Sequence, residues 1–348
     1  YLLHGKRVLV TGAGGSIGSE LCRQIATARP AQIVLLDRYE NSLHAIYGEL
    51  VGSGSGSPLR ITPVIADITD AHRLAQLFAE QRPEIVFHAA AHKHVPLMED
   101  NPCEAVKNNV RGTRLLVESA LRGEVDRFVL ISTDKAVNPS SVMGATKRVA
   151  ELIVQSAQAG TEQRFVTVRF GNVLASNGSV VPHFLAQIKA GGPVTVTHPD
   201  MRRYFMLIPE AVQLVLHAAA LEAGSIYVLD MGEQIRVADM ARDLIRLAGF
   251  VPDDDIQVVF TGMRPGEKLE EELLGPDEAA EACEVACIHR VRSGPGVAAA
   301  RLNGEVTRLE RLALEDDAPG VLETLGLVVP SFARRTGLEE RAGRRVIA

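Results

Sequence analysis

Residues 7–18 read RVLVTGAGGSIG: a short β-branched apolar run, a turn carrying Gly12, Gly15 and Gly18, and the opening of a helix. The apolar positions Ile17, Leu21 and Ile25 recur every four residues and mark that helix as laid on a sheet by one face. Strand, glycine turn and helix in this order bring backbone N–H groups to the positive end of a helix, where a pyrophosphate binds. A glycine-rich loop by itself also describes a plain strand-to-helix turn. Here the next apolar run, AQIVLLD, ends in Asp37 about twenty residues on, which is the context of a dinucleotide site. That reading places Gly12, Gly15, Ser16, Ile17 and Gly18 around the pyrophosphate and Asp37 against the adenosine ribose hydroxyls. Asp37 repels a 2′-phosphate and so favours NAD over NADP, while Arg38 beside it is able to pair with one. Asp67 and Ile68 follow the third run and suit the adenine edge, although Asp67 serves equally well as a turn or helix-cap aspartate before Ala71.

Working outward, the runs ITPVIAD, EIVFHAA, RFVLIST and RFVTVRF keep alternating with helical stretches to about residue 170. The expected architecture is α/β: a Rossmann-type doubly wound parallel sheet over residues 1–170. Beyond Arg169 the alternation breaks into Pro- and Gly-punctuated segments, expected to form a smaller irregular α/β substrate-binding region over residues 171–224 and 231–290. SIYVLDMG, near 225–230, reads as a late strand of the main sheet. Residues 291–348 carry a helical pattern and no motif tied to chemistry. The tract VGSGSGSP at 51–58 has almost no side chains to pack and reads as a surface loop or linker.

The 348 residues are long enough for a large core without staples. With 37 basic against 43 acidic residues and no like-charge block, a nucleic-acid partner is not expected. No apolar run is long enough to cross a bilayer, and no signal peptide is visible. Cys22, Cys103, Cys283 and Cys287 fit reduced thiols of a cytoplasmic enzyme, and the start at Tyr1 reads as the mark of a fragment cut from something longer.

The TGxxGxxG turn, Ala89, Ala90 and Ala91 after the fourth run, Asn109 in NNVRGT, and a strand-end STDK followed by an M-x3-K pair together resemble the extended short-chain dehydrogenase/reductase superfamily over residues 5 to about 275. Within it, STDKAVNPSSVMGATKR is similar to the bacterial nucleotide-sugar 4,6-dehydratases of polysaccharide and glycan biosynthesis, above all the membrane-anchored type acting on UDP-N-acetylglucosamine. The resemblance implies NAD as cofactor, a UDP-sugar substrate, a homo-oligomer, and an inner-membrane anchor lying outside this chain, with this part facing the cytoplasm. It also puts Ala89, Ala90, Ala91 and Asn109 at the cofactor.

In the superfamily a Tyr and a Lys four residues apart share a helix face, and the Lys lets the phenol take a hydroxyl proton. This chain has Met143 in the Tyr place and Lys147 in the Lys place, and a thioether carries no proton. Either the site is dead and the fold binds nucleotide alone, or proton transfer has moved to Thr133, Asp134 and Lys135. The dehydratase resemblance favours the second, since the membrane-anchored type has Met there too. Dehydration needs C4 oxidation, a base for the acidified C5 proton and an acid for the departing C6 oxygen. By the resemblance, Lys135 is that base, Asp134 that acid, and Thr133 helps deprotonate the C4 hydroxyl. An ion pair between Asp134 and Lys135 stabilises both charged forms, the opposite of what these roles ask, so exclusion of water has to outweigh it. The alternative is an exposed strand-end ion pair with no chemistry.

Lys147 is expected to hold the nicotinamide ribose, Ser132 to position the sugar, and Lys93 to lie near the nicotinamide. His88, His92 and His94 suggest a metal, but no carboxylate follows at ligand spacing and none is expected. By the resemblance, Asn172 takes the place where these enzymes set an Asn against the substrate diphosphate, and Val180 and Val181 suit a shelf for uracil. Arg202 and Arg264 resemble the family's guanidinium pair for the diphosphate, with Arg203 competing with Arg202 and an ordinary surface charge the alternative for either. Glu267 and Lys268 complete the GMRPGEKL motif without an assigned role. A UDP-sugar C4 epimerase and a non-catalytic NAD-binding regulator or scaffold are the alternatives; Met143 counts against the first, and the Thr133 to Lys135 cluster against the second.

Overall fold

The computed structural model describes residues 2–52, 59–159, 161–293 and 299–332, so most of the VGSGSGSP tract and the last sixteen residues lie outside the described part. Six apolar runs become strands β1 (Arg7–Thr11), β2 (Gln32–Asp37), β3 (Arg60–Ile65), β4 (Ile85–His88), β5 (Arg127–Ile131) and β6 (Arg164–Arg169). After them come β7 (Asn172–Val173), β8 (Val194–Val196), β9 (Arg202–Arg203), β10 (Phe205–Met206), β11 (Ile226–Leu229), β12 (Ile235–Arg236), β13 (Val258–Phe260), β14 (Glu278–Ala282) and β15 (Ile288–Ser293). The main sheet has the order β3-β2-β1-β4-β5-β6-β11-β15-β14, parallel as far as β11 and antiparallel beyond it. Its central strands are buried on both faces, which is why they read as continuous apolar runs. Thr11 at the end of β1 pairs with Leu36 on one side and His88 on the other, so the chain winds away in both directions from β1 and β4. A crevice opens at the strand ends there.

The helices are α1 (Ser16–Thr27), α2 (Glu40–Gly52), α3 (Ala71–Gln81), α4 (Val95–Asp100), α5 (Pro102–Ala105), α6 (Gly112–Arg122), α7 (Val142–Gln158), α8 (Val180–Lys189), α9 (Ile208–Ala218), α10 (Val237–Leu247), α11 (Ala299–Leu314) and α12 (Ala318–Val328). One face of the sheet packs on α1, α2 and α9 through residues such as Leu21, Ile46 and Val215. The other packs on α3, α6 and α7 through Leu74, Leu116 and Val149. Leu302, Val306, Leu309, Leu325 and Phe332 join that second core, so α11 and α12, the segment without a motif, seal one side of the sheet. Arg114 of α6 forks onto Glu310 to fix them there. A separate small core around Phe184, Ile188, Val194 and Ile245 holds α8, α10, β8 and β13 together. No helix among the described residues is long and apolar enough to cross a membrane.

SIYVLDMG supplies β11, in the main sheet beside β6. The expectation that residues 231–290 stand apart from that sheet fails for β14 and the first residues of β15, and 291–293 are strand rather than helix. The cause is physical: β14 is a half-exposed edge with the sequence EAAEA, and neither it nor IHRVRS offers the uninterrupted apolar run of a buried strand.

Candidate active site

The cleft at the strand ends begins with α1. Gly15 precedes it in an extended conformation without a side-chain cap, leaving first-turn N–H groups free for an anion. Gly12 has φ +67°, and a Cβ there would lie 2.7 Å from the Ala90 nitrogen; one on Gly18 would lie 1.9 Å from the Gly12 oxygen. Turn, helix and β4 loop therefore approach as closely as they do because those positions carry no side chain. One cavity of about 170 Å³ is lined by Asp37, Arg38, Asp67, Ile68 and Ala90. A second, of about 490 Å³, is lined by Ser16, Ile17, Lys93, Thr133, Lys135, Met143 and Lys147. The two share Gly15, Ala89, Ala91 and His92, so they form one elongated space bent over the helix N-terminus, which suits two nucleosides joined by a pyrophosphate.

Asp37 accepts from the Gly14 and Tyr39 N–H groups at 2.9 Å each and keeps acceptor capacity towards the cavity. Arg38 lies 3.5 Å from Asp67 and 3.2 Å from His92 Nε2, so its charge is already countered. Burial draws the Asp67 carboxyl upward, but the Thr69 N–H and Arg38 outweigh it and hold it below the usual range. Asp67 does not cap α3; Asp70 does, accepting from Arg73 N–H. Asn109 departs from expectation. Its amide donates to the His92 carbonyl and to Thr146, and its oxygen accepts from His92 N–H and Asn108. With its hydrogen-bonding capacity spent, it pins the loop after β4 to α7 and has nothing left for a cofactor. It sits in a π-helical stretch, Val106–Arg111, ahead of α6.

Met143 and Lys147 lie on one face of α7, both buried and both lining the cleft. Ser141 caps that helix, accepting from Gly144 N–H. Lys147 Nζ donates to the Ile131 carbonyl at 2.6 Å, and burial pushes the amine down to about 8 against the opposing pull of Glu151. Glu151, one turn on, accepts from Ser132 at 2.6 Å and grips Arg169 with both oxygens at 2.8 Å. Glu278 of β14 grips the other side of the same guanidinium. Burial alone would raise Glu151, but Arg169, Arg148 and Ser132 hold it down at about 2. Ser132, expected to position the sugar, lines the cleft but gives its hydroxyl proton to Glu151, which leaves it only as an acceptor there.

At the end of β5, Thr133 and Lys135 line the cleft while Asp134 is fully buried one layer behind them. Thr133 Oγ1 donates to Asp134 Oδ1 at 2.8 Å; Lys135 Nζ donates to the same oxygen and to Asn172 Oδ1, each at 2.9 Å. Asp134 Oδ2 is buried without a partner, 3.2 Å from where a Cβ on Gly171 would stand. The pair is therefore not the exposed ion pair of the bland alternative: the side chains are 0% and 20% exposed. Lys93 reaches Ser176 at 3.4 Å, and burial, then Lys135, pushes its amine down.

Asn172, Val180 and Val181 line the cleft, the two valines opening α8. Arg202 and Arg264 do not: Arg202 leans towards Glu270 at 3.6 Å, and Arg264 is exposed, its N–H donating to Glu267. Arg203 is framework, buried and donating to the carbonyls of Arg202, Lys268 and Leu269. His88 lies between the Thr11 and Thr113 hydroxyls at 2.8 and 3.0 Å, and burial and Lys147 push it down to about 3. Among the described residues, no three ligating side chains are grouped to hold a metal ion. The sequence reading missed Ser176, Asn177 and Ser179 in the cleft wall, and Glu151 and Glu271 behind it; the ASNGS turn was the available signal for the first three.

Residues 8–293 match a family described as polysaccharide biosynthesis protein. The chain is 56% identical over 278 residues to the capsular polysaccharide biosynthesis protein CapD of Staphylococcus aureus, covering 79% of this chain and 46% of that one, so it spans about half that relative's length. It is 30% identical over 284 residues to a UDP-N-acetylglucosamine 4,6-dehydratase (inverting) of Campylobacter jejuni, covering 80% of each. The solved structure of Pen from Bacillus thuringiensis superimposes with a TM-score of 0.76 at 28% identity, over 88% of this chain and 98% of that one.

Proposed function

This chain belongs to the polysaccharide biosynthesis protein family, and from that premise we propose that it is an NAD-dependent hydro-lyase removing water from UDP-N-acetylglucosamine to give the UDP-4-keto-6-deoxy sugar. Bound NAD supplies the acceptor for the C4 hydride and its donor to C6. The observation that carries the reading is the Thr133–Asp134–Lys135 cluster at the cleft wall, opposite a helix whose tyrosine place holds Met143.

In this reading Thr133 faces the sugar. It takes the O4 proton while passing its own to Asp134 Oδ1, the atom it already hydrogen-bonds. Lys147 supplies a positive charge beside the reacting oxygen. Lys135 takes the C5 proton, and Asp134 returns a proton through Thr133 to O6, which leaves as water. O4 and O6 sit on carbons two apart, so one hydroxyl serves both transfers. Because the same amine takes and returns the C5 proton, C5 keeps its configuration. Asn172 faces the diphosphate, Lys93 lies near the nicotinamide, and Val180 and Val181 face the uracil. Arg38 spent on Asp67 supports NAD over NADP.

The test is incubation of the holoenzyme with UDP-N-acetylglucosamine, followed by mass and by NAD consumption. Loss of one water with NAD unconsumed is the expected result. A galacto product of unchanged mass means an epimerase, and tight NAD binding without turnover means a regulator.

A further inference from the structure

The segment MRPGEKLEEE at 263–272 folds over the back of the catalytic strand end. Lys268 Nζ donates to the Val137 carbonyl at 2.8 Å and to Glu272, and Ser140 donates to the Gly266 carbonyl at 3.0 Å. Gly266, at φ +80°, has no room for a Cβ: Glu99, Ser141 and Val95 would all lie within 3.0 Å of it. Anchored in this way, the segment brings Glu271 to Lys135. Glu271 Oε1 is 3.9 Å from Lys135 Nζ and 4.0 Å from Arg203, and its side chain is 4% exposed. Its other oxygen is buried without a partner. Lys135 thus stands between two buried carboxylates, and forms the wall shared by the main cleft and a cavity of about 130 Å³ lined by Arg203, Gly266, Glu267 and Glu271.

Dehydration by these residues contains a conflict that Glu271 resolves. Once Asp134 has taken the O4 proton it is neutral, and the Lys135 ammonium has lost its counter-charge. An ammonium is also no base, so a proton must leave Nζ before the C5 proton can be taken. Nζ need move by about 1 Å to bring Glu271 into hydrogen-bonding range. We infer that Glu271 is a positioning residue for Lys135: it takes over the ammonium, and then one of its protons, when Asp134 becomes neutral. This rests on the dehydratase reading.

The balance closes. The Nζ–H bond breaks with its electron pair left on nitrogen, and the proton goes to a Glu271 oxygen. The free amine takes the C5 proton; the C5–H electrons move to expel O6, which leaves as water with the proton from Asp134. As C6 becomes a methyl, Lys135 returns its proton to C5 and Glu271 returns its own to Lys135. Every group ends as it began.

The test compares wild-type holoenzyme with E271Q and E271D in heavy water, following reduced nicotinamide by absorbance, water loss by mass and deuterium at C5 by NMR. E271Q is expected to oxidise C4 and accumulate reduced nicotinamide, while water loss and C5 exchange fall by about 10²-fold. Its KM should stay within about threefold, and E271D should recover at least about tenfold of the lost rate. E271Q eliminating water at the wild-type rate overturns the inference. So does an equal loss of oxidation and elimination, the mark of a merely structural role, or E271D no better than E271Q. If E271Q does not fold, E271D decides: slowed water loss with reduced nicotinamide accumulating supports the inference, and an unchanged partition between the two steps overturns it. A wild-type chain that forms no dehydrated product removes the underlying reading instead, before any variant is made.

Discussion

Thr133 stands between the cleft and Asp134: its hydroxyl donates to Asp134 Oδ1 at 2.8 Å, and the carboxylate has no exposed surface of its own. That hydroxyl and the Lys135 amine are the two groups of the cleft wall that touch Asp134, and the hydroxyl alone can both take and give a proton for O4 and O6 in the proposed reaction. Thr133→Val keeps the shape and removes the relay, so kcat should fall by about 10² to 10⁴, while Thr133→Ser stays within about tenfold of wild type. Single-turnover rates of water loss check this; a Val variant at full rate removes the relay.

Lys147 sets an alkaline limit. Its amine, pushed down to about 8, is charged below that pH and neutral above it, so turnover should fall as pH rises through about 8. Lys147→Arg, which stays charged, should lift that limb of the kcat/KM profile if the variant still binds NAD. Stability should move the opposite way. In the unfolded chain the amine titrates near the ordinary lysine value of 10.5, so between about 8 and 10.5 the unfolded state holds the extra proton. Over that window this group makes folding more favourable as pH rises. Urea titrations of wild type and Lys147→Met across that range isolate the contribution.

Arg169 is fully buried between Glu151 and Glu278. Arg169→Met leaves two buried carboxylates facing an apolar side chain and should destabilise the fold by about 3–5 kcal/mol. Ser132 and α7 share the network through Glu151, so activity should fall with stability. Denaturant midpoints with an unchanged m-value check the first part, and an unaltered midpoint refutes it.

Gly12→Ala places a methyl 2.7 Å from the Ala90 nitrogen at a backbone conformation suited to glycine. The strain is of order 1–3 kcal/mol, so NAD affinity measured by calorimetry should drop by about tenfold or more.

Much of this was legible in the sequence, for reasons that particular residues show. Strands β1 to β6 announce themselves because burial on both faces demands unbroken apolar runs, and Gly12 and Gly18 because nothing larger fits. Asn109 was legible as a polar residue close to the cofactor loop, but its partners, His92 and Thr146, are 17 and 37 residues away, so its use as a clamp was not. Arg202 and Arg203 look alike in sequence; packing alone buries Arg203 and leaves Arg202 half-buried. Glu271 was invisible for the same reason. Nothing local says that a residue 136 positions beyond Lys135 will stand behind it.

The grip of Glu278 on Arg169 spans 109 residues of chain. A polypeptide still emerging from the ribosome has its glycine turn and early strands in hand long before that carboxylate is made, and until then the guanidinium has Glu151 without Glu278. Nucleotide capture is therefore expected to precede catalytic competence during synthesis, with the late hairpin acting as the latch that ends the wait.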